Sequence, residues 1–113
     1  HIRFDIPSFA IDRQIRACTP NPGAWCNLHV DSSDLQTITL HVLACALAKD
    51  EDIELHSLNE LKHGQILAKK HNVWVGCASG AIELLEVKAQ GKKAMNAADW
   101  ARGAHLSQES YLD

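Results

Sequence analysis

The alternation of apolar and polar residues predicts short β-strands along most of the chain. The clearest case is Thr37 to Leu47, where Ile38, Leu40 and Val42 alternate with polar residues, as in a strand with one buried face. A shorter segment of the same kind runs from Trp25 to Val30. The first half of the chain is therefore expected to contribute at least two strands.

Three more strands are predicted in the second half, two of them joined as a hairpin. Gly64 opens a short strand through Gln65 to Ala68, and the segment from Asn72 to Cys77 follows at once. Ser79-Gly80 supplies the small residues of a tight turn before the strand Ala81 to Val87. The acidic segment Asp50 to Glu54 is predicted to be a solvated loop between the two halves.

A helix is predicted at each end of this series of strands. The first covers Ser8 to Cys18 and must end before Pro20 and Pro22, since each proline moves the preceding residue out of the helical region. Gly23 then permits a tight turn.

The second helix starts after Asn96, a favourable N-cap residue. Asp99 is placed to reach back to that cap, and Gly103 fits the residue after the last turn. Five or six short strands with flanking helices predict a mainly β fold, a small closed or partly closed antiparallel barrel, because closure removes exposed sheet edges. At 113 residues, the chain, residues 1–113, is expected to form one domain.

Composition and charge narrow the possible partners. No apolar run approaches the roughly 18 residues of a membrane span, so no membrane role is expected. The net charge is −3, but its sign changes along the chain. Residues 1–61 hold four basic and nine acidic residues, a net charge of −5, whereas residues 62–102 hold seven basic and three acidic residues, a net charge of +4. The basic half is the candidate surface for a polyanion.

The cysteines and histidines offer little chemistry. The four cysteines show no Cys-x-x-Cys pair, which favours reduced thiols in a cytoplasmic protein. A metal site from Cys26, His29, His41 and Cys45 is the alternative, although buried thiols and surface imidazoles are the preferred interpretation. No nucleophile elbow, phosphate-binding glycine loop or zinc-protease motif occurs, so no catalytic residue is assigned.

Two segments resemble a known family. SGAIELLEVKAQGKKAMNAADWARG (79–103) resembles the end of methionyl-tRNA formyltransferases, where an apolar strand leads into a glutamine, Gly-Lys-Lys, a methionine and a short helix closed by Arg-Gly. IDRQIRACTPNPGAW (11–25) is similar to the helix and Pro-x-Pro-Gly-Ala loop that open the C-terminal domain of the same family. The resemblance implies an oligonucleotide-binding-like barrel, excised from a longer chain.

The same resemblance implies a division of labour in the parent enzyme. The family transfers a formyl group from 10-formyltetrahydrofolate to methionyl initiator tRNA, using an Asn, a His and an Asp of an N-terminal Rossmann-like domain with a Ser-Leu-Leu-Pro segment. None of these motifs occurs in this sequence. The chain is therefore expected to bind tRNA and its own catalytic domain, to hold no cofactor, and to be monomeric and cytoplasmic.

The candidate tRNA contacts are the basic residues of the second half. They are Lys62, Lys69, Lys70, Lys88, Lys92, Lys93 and Arg102. Lys92 and Lys93 match the family's Gly-Lys-Lys, and Gly91 leaves that loop free to approach a ligand. Solvated lysines with no partner, and a loop sequence that only sets backbone shape, remain alternatives.

Three aromatic or apolar positions are interpreted structurally. The Pro20 to Trp25 loop is expected to be a structural corner that packs Trp25 into the barrel, with a docking surface for the catalytic domain as the alternative. Asn21 stands where the family commonly has a tryptophan. Trp74 is expected in the core or at a domain interface, although it could stack on a base. Met95 is expected in the core.

Two other functions remain open at this stage. The chain could be the barrel of a formyltransferase that acts on a nucleotide-linked amino sugar, since the Pro-x-Pro-Gly corner is also found there. It could instead be a free-standing module that binds protein.

Overall fold

The backbone forms a nearly closed antiparallel barrel with short helices, as the sequence predicts. The computed structural model describes residues 1–18, 23–30, 37–107 and 109–113. The helices are α1 (Ser8–Cys18), α2 (Asp50–Leu55), a 3₁₀ turn (Leu58–Glu60) and α3 (Ala97–Ala104). The strands are β1 (Ala24–His29), β2 (Thr37–Leu47), β3 (Ile66–Ala68), β4 (Val73–Gly76), β5 (Ala81–Ala89), β6 (Met95–Asn96) and β7 (Tyr111–Leu112).

The sheet order explains how the barrel closes. The strands run β3-β4-β5-β2-β1-β7, every pairing is antiparallel, and β6 adds to the side of β5. At the ends of this order, Gln65 forms an isolated bridge with Tyr111, and Leu112 N donates to Gly64 O at 2.8 Å. The two-residue strand β7 thus joins β1 to the start of β3. Closure of this kind satisfies the backbone groups of both edges.

The barrel interior is built from the alternating positions that the sequence indicates. Leu40 and Val42 of β2 point inward, as do Val73 and Val75 of β4. Helix α1 covers one end of this core with Ile11 and Ile15, both buried. The remaining side chains of the inner cluster include Cys26, Leu28, Ile82, Leu84, Val87, Trp100 and Leu112.

A second, smaller cluster lies on the other face of the sheet and corrects one prediction. Trp74 is buried there with Leu58 and Ala81, which confirms a core tryptophan. Ile53 of α2 packs against them, so the acidic segment 50–54 is helical, not a loop. Three acidic residues in the first turn of α2 complement the partial positive charge of a helix N-terminus.

The end of α3 also differs from the prediction. The Asn96 side chain accepts from Ala98 N at 2.9 Å, which confirms the N-cap. Asp99 does not complete a capping box in this structure, because its carboxylate accepts from Arg102. The helix also continues through Gly103 to Ala104, and His105 adopts the left-handed conformation after it, with φ 55°. An imidazole thus stands where a glycine was expected.

Two side chains that were expected in the interior, Trp25 and Met95, are exposed at the surface, as is Phe9 of α1. Phe9 is 57% exposed, Met95 38% and Trp25 37%. Trp25 does not pack into the barrel, because β1 directs Ala24 and Cys26 inward and Trp25 outward. Its indole instead lies against the His1 imidazole, with ring centroids 4.7 Å apart. Pro20, Pro22 and Asn21 of the predicted corner lie outside the described residues, whereas Gly23 is buried with a φ of 88°.

Within the described residues, none of the helices has both the length and the apolar character to span a membrane.

Candidate nucleic-acid interface

The seven candidate basic residues are all exposed but come from five parts of the fold. Lys62 precedes β3, and Lys69 and Lys70 follow it in the turn to β4. Lys88 lies on β5, Lys92 and Lys93 lie in the β5–β6 loop, and Arg102 lies on α3.

Helix α3 brings the β3–β4 turn into a fixed position. Arg102 Nη1 donates to the backbone oxygen of Lys70 at 2.8 Å, and Nη2 donates to Asp99. Lys69 N also donates to Asn72 O at 2.8 Å, which closes the turn. A guanidinium that binds a carbonyl and a carboxylate together holds its neighbours in one geometry. Arg102 therefore positions the two lysines of this turn.

The β5–β6 loop carries two further lysines, Lys92 and Lys93. Lys92 N donates to Ala89 O at 3.0 Å, and Gly91 between them has a φ of 78°. Nothing lies within 4 Å of the position that a Cβ of Gly91 would take, so glycine is required by backbone conformation and not by crowding. The loop stands open to solvent with Lys92 and Lys93 exposed.

A cavity of about 450 Å³ connects this loop to α3. Lys92 and Asp99 are its charged lining residues, and Gln90 lies beside them. Apolar side chains from β1, β2 and α3 form the rest of the wall, among them Leu28, Ile38 and Trp100. Lys92, Asp99, Arg102 and the Lys70 carbonyl thus form a connected series around α3.

Five of the seven candidates therefore gather around one helix. We name Lys69, Lys70, Lys92, Lys93 and Arg102 the α3 basic surface. Asp99 lies within it and offsets part of its charge. Lys62 lies apart, in a crevice near the bridge of Gln65 to Tyr111, and Lys88 lies on the outer face of the sheet, opposite His41 of β2. Sequence spacing could not reveal this grouping, because it depends on where α3 docks.

Within the part of the chain that the structure describes, the buried thiols do not belong to a metal-binding cluster. Burial raises the pKa of Cys26 and of Cys45 from 9.0 to about 12, and that of Cys77 to about 11. Cys26 Sγ donates to Leu40 O, and Cys45 Sγ donates to Asp12 Oδ1 at 3.3 Å. Across the described ranges no group of three or more His, Cys, Asp or Glu residues could hold a metal ion. These thiols stay protonated at neutral pH and pack in the hydrophobic core.

Stability is expected to fall at alkaline pH because of these thiols. An unfolded thiol loses its proton near pH 9, whereas the buried Cys26 thiol retains it up to about pH 12. The unfolded state therefore binds fewer protons in this window, and the free energy of unfolding decreases by up to about 1.4 kcal/mol per pH unit for Cys26. Cys45 and Cys77 act in the same direction.

Urea unfolding of the wild type and of Cys26→Ala between pH 8 and 10 measures this slope. The variant should start less stable and lose less stability as the pH rises. Parallel curves for the two proteins would contradict a buried, protonated Cys26.

Comparison with known proteins assigns the fold to a family. The family described as "Formyl transferase, C-terminal domain" matches residues 1–105. A methionyl-tRNA formyltransferase of Bifidobacterium adolescentis is 61% identical over 106 residues, covering 94% of the chain and 32% of that relative. One from Bifidobacterium animalis subsp. lactis is 53% identical over the whole chain and 34% of its own length. One from Streptomyces coelicolor is 41% identical over 90% of the chain and 28% of its own length.

The chain thus spans about a third of the length of these curated relatives. The family match, in contrast, covers nearly all of it, from α1 through α3. The chain therefore belongs to the formyl transferase C-terminal domain family.

Proposed function

We propose that the chain is the tRNA-binding domain of a methionyl-tRNA formyltransferase. The observation that carries this proposal is the similarity of nearly the whole chain, at 61% and 53% identity, to two relatives of that name. The names of these relatives favour the tRNA enzyme over the barrel of a nucleotide-sugar formyltransferase and over a free-standing protein-binding module.

In this proposal the chemistry belongs to another part of the enzyme. The chain offers protonated, buried thiols and a barrel interior filled with side chains. The 10-formyltetrahydrofolate donor would bind to an N-terminal catalytic domain. The barrel would dock beside that domain as part of one monomeric enzyme in the cytoplasm, where its tRNA substrate is used.

The α3 basic surface supplies the attraction for tRNA. Ammonium groups on exposed loops contact phosphates without reading bases, and such contacts set the position of a nucleic acid on a protein. Asp99 and the net charge of −3 reduce this attraction, so the isolated chain is expected to bind weakly. Binding should therefore depend strongly on salt.

The test is binding of the chain to initiator tRNA at about 50 and about 200 mM salt. The Lys92→Ala/Lys93→Ala variant should reduce the slope of log K against log salt by about 1 for each lysine that contacts a phosphate. Arg13→Ala/Lys49→Ala removes the same charge from the acidic half and should leave the slope unchanged. Absence of wild-type binding at low salt, or an equal loss in both variants, would overturn the proposal.

A further inference from the structure

The outer face of three neighbouring strands carries an exposed tryptophan among polar residues. The register pairs Trp25 of β1 with His41 of β2, and His41 with Lys88 of β5. In the adjacent row, Asn27 pairs with Thr39, and Gln90 N donates to Thr39 O at 2.9 Å. Alternation along each strand places the first five of these residues on one face, and Gln90 follows directly after the end of β5. We name the six residues the strand platform: Trp25, His41, Lys88, Asn27, Thr39 and Gln90.

Trp25 is unlike the other two tryptophans of the chain. Trp74 is 1% and Trp100 6% exposed, whereas Trp25 is 37% exposed. Its indole contacts the His1 imidazole, at an interplanar angle of 39°. An aromatic side chain on the outer face of a barrel strand offers a flat surface for another ring.

The charges of the strand platform suit an anionic ligand. Its members include Lys88 and an imidazole but no carboxylate, although the chain as a whole is acidic. Two carboxylates of the described residues lie directly beside it. Glu86 precedes Lys88 by two residues on β5, and Asp113, next to Asn27, pairs with His29 at 3.0 Å. Gln90 of the platform and Lys92 line the same cavity, so the platform continues into the α3 basic surface.

We propose that the strand platform binds an unpaired RNA nucleotide, with its base stacked on Trp25 and its phosphate near Lys88. This inference rests on the proposed function, which makes RNA the partner. Barrels that bind single strands combine stacked aromatic side chains with cationic residues along the backbone. A protein partner would instead require an apolar interface centre, and the neighbours of Trp25 in the two rows are polar. Asn27, Thr39 and Gln90 can hydrogen-bond to the sugar or the base edge.

The test uses the 113-residue chain and a labelled single-stranded oligoadenylate of about six nucleotides, within the usual site size of such barrels. Fluorescence anisotropy at low salt should show that Trp25→Leu binds about five- to a hundredfold more weakly than the wild type. Trp25→Phe, which keeps a ring, should bind within a few fold of the wild type. Phe9→Leu is the matched control, because Phe9 is an exposed ring on α1, outside the strand platform, and should change nothing.

A second measurement on the wild type does not depend on how a variant folds. Acrylamide quenches exposed indoles, and Trp25 is the exposed indole among the three. Saturating oligoadenylate should protect it from quenching. Unchanged quenching, or wild-type affinity in Trp25→Leu, would overturn the inference. The exposed Trp25 ring would then be assigned to contact with a protein surface. If initiator tRNA still binds and still depends on Lys92 and Lys93, the proposed function survives that failure, whereas loss of all tRNA binding would remove both.

Discussion

Replacing Gly64 with alanine is expected to lower the free energy of unfolding by about 3 to 5 kcal/mol. Gly64 has a φ of 82°, and a Cβ added there would lie 2.1 Å from Leu112 O. The same glycine donates from N to Gly76 O at 2.9 Å and accepts from Leu112 N at 2.8 Å. Alanine therefore combines left-handed strain with a steric clash that pushes β7 away and breaks these hydrogen bonds.

Gly91→Ala is the control for this variant. Its φ of 78° is nearly the same, but no atom lies within 4 Å of the added Cβ. Only the backbone strain remains, which costs about 1 kcal/mol. Denaturant unfolding followed by circular dichroism compares the two. Equal losses would show that the contact of Gly64 with Leu112 contributes nothing to closure of the barrel.

Truncation of Trp74 to alanine should cost about 3 to 5 kcal/mol, the usual range for a buried large side chain. The indole is the largest member of the cluster that joins α2 and the 3₁₀ turn to the sheet. Its loss should therefore also expose Leu58 and loosen α2.

A phenylalanine at the same position should cost far less. Trp74 Nε1 is buried and has no hydrogen-bond partner in the described structure, so the indole N–H gives up hydration without compensation. Trp74→Phe removes that group and keeps a ring against His56, whose centroid is 4.8 Å away. In urea unfolding, Trp74→Ala should have a much lower free energy of unfolding than Trp74→Phe. The Trp25→Ala variant should lose less than half as much free energy of unfolding as Trp74→Ala. A Trp25→Ala loss as large as that of Trp74→Ala would contradict the assigned burial.

The strands were predictable because their patterns are local. Leu40 and Val42 alternate with polar neighbours over a long segment, and β2 covers Thr37–Leu47 as expected. The strand β7 was missed because two residues carry no periodicity. Tyr111 and Leu112 become a strand only through pairing with β1, more than 80 positions away.

The errors at α2 and α3 have a different origin. The acidic run 50–54 was interpreted by its charge, although acidic residues also favour the first turn of a helix. Ile53 packs α2 against the cluster of Trp74, Leu58 and Ala81. No local pattern encodes such a contact between elements. In α3, there is open space around Gly103, and the helix continues through this residue. Glycine more often stands just after the last turn of a helix.

The candidate site was predictable in composition but not in arrangement. The excess of lysine in residues 62–102 is visible in the sequence, and so is the Gly-Lys-Lys segment. Arg102 binds the carbonyl of Lys70 and thereby joins α3 to the β3–β4 turn, a contact that follows only from the docking of α3. The outward direction of Trp25 depends on the strand beginning at Ala24, one residue of register that sets every side chain of β1.

The short length of β7 makes the barrel vulnerable to aggregation at one seam. The two residues of β7, Tyr111 and Leu112, cover the free edges of β1 and β3. Just before them, Ser110 Oγ donates a hydrogen bond to Val30 O at 2.6 Å. Brief detachment of β7 costs far less than global unfolding. It would leave unpaired N–H and C=O groups on the edges of β1 and β3. Such edges act as templates for pairing with another chain. Residues 109–113 therefore protect the domain against self-association, and hydrogen exchange should be fastest along the seam they cover.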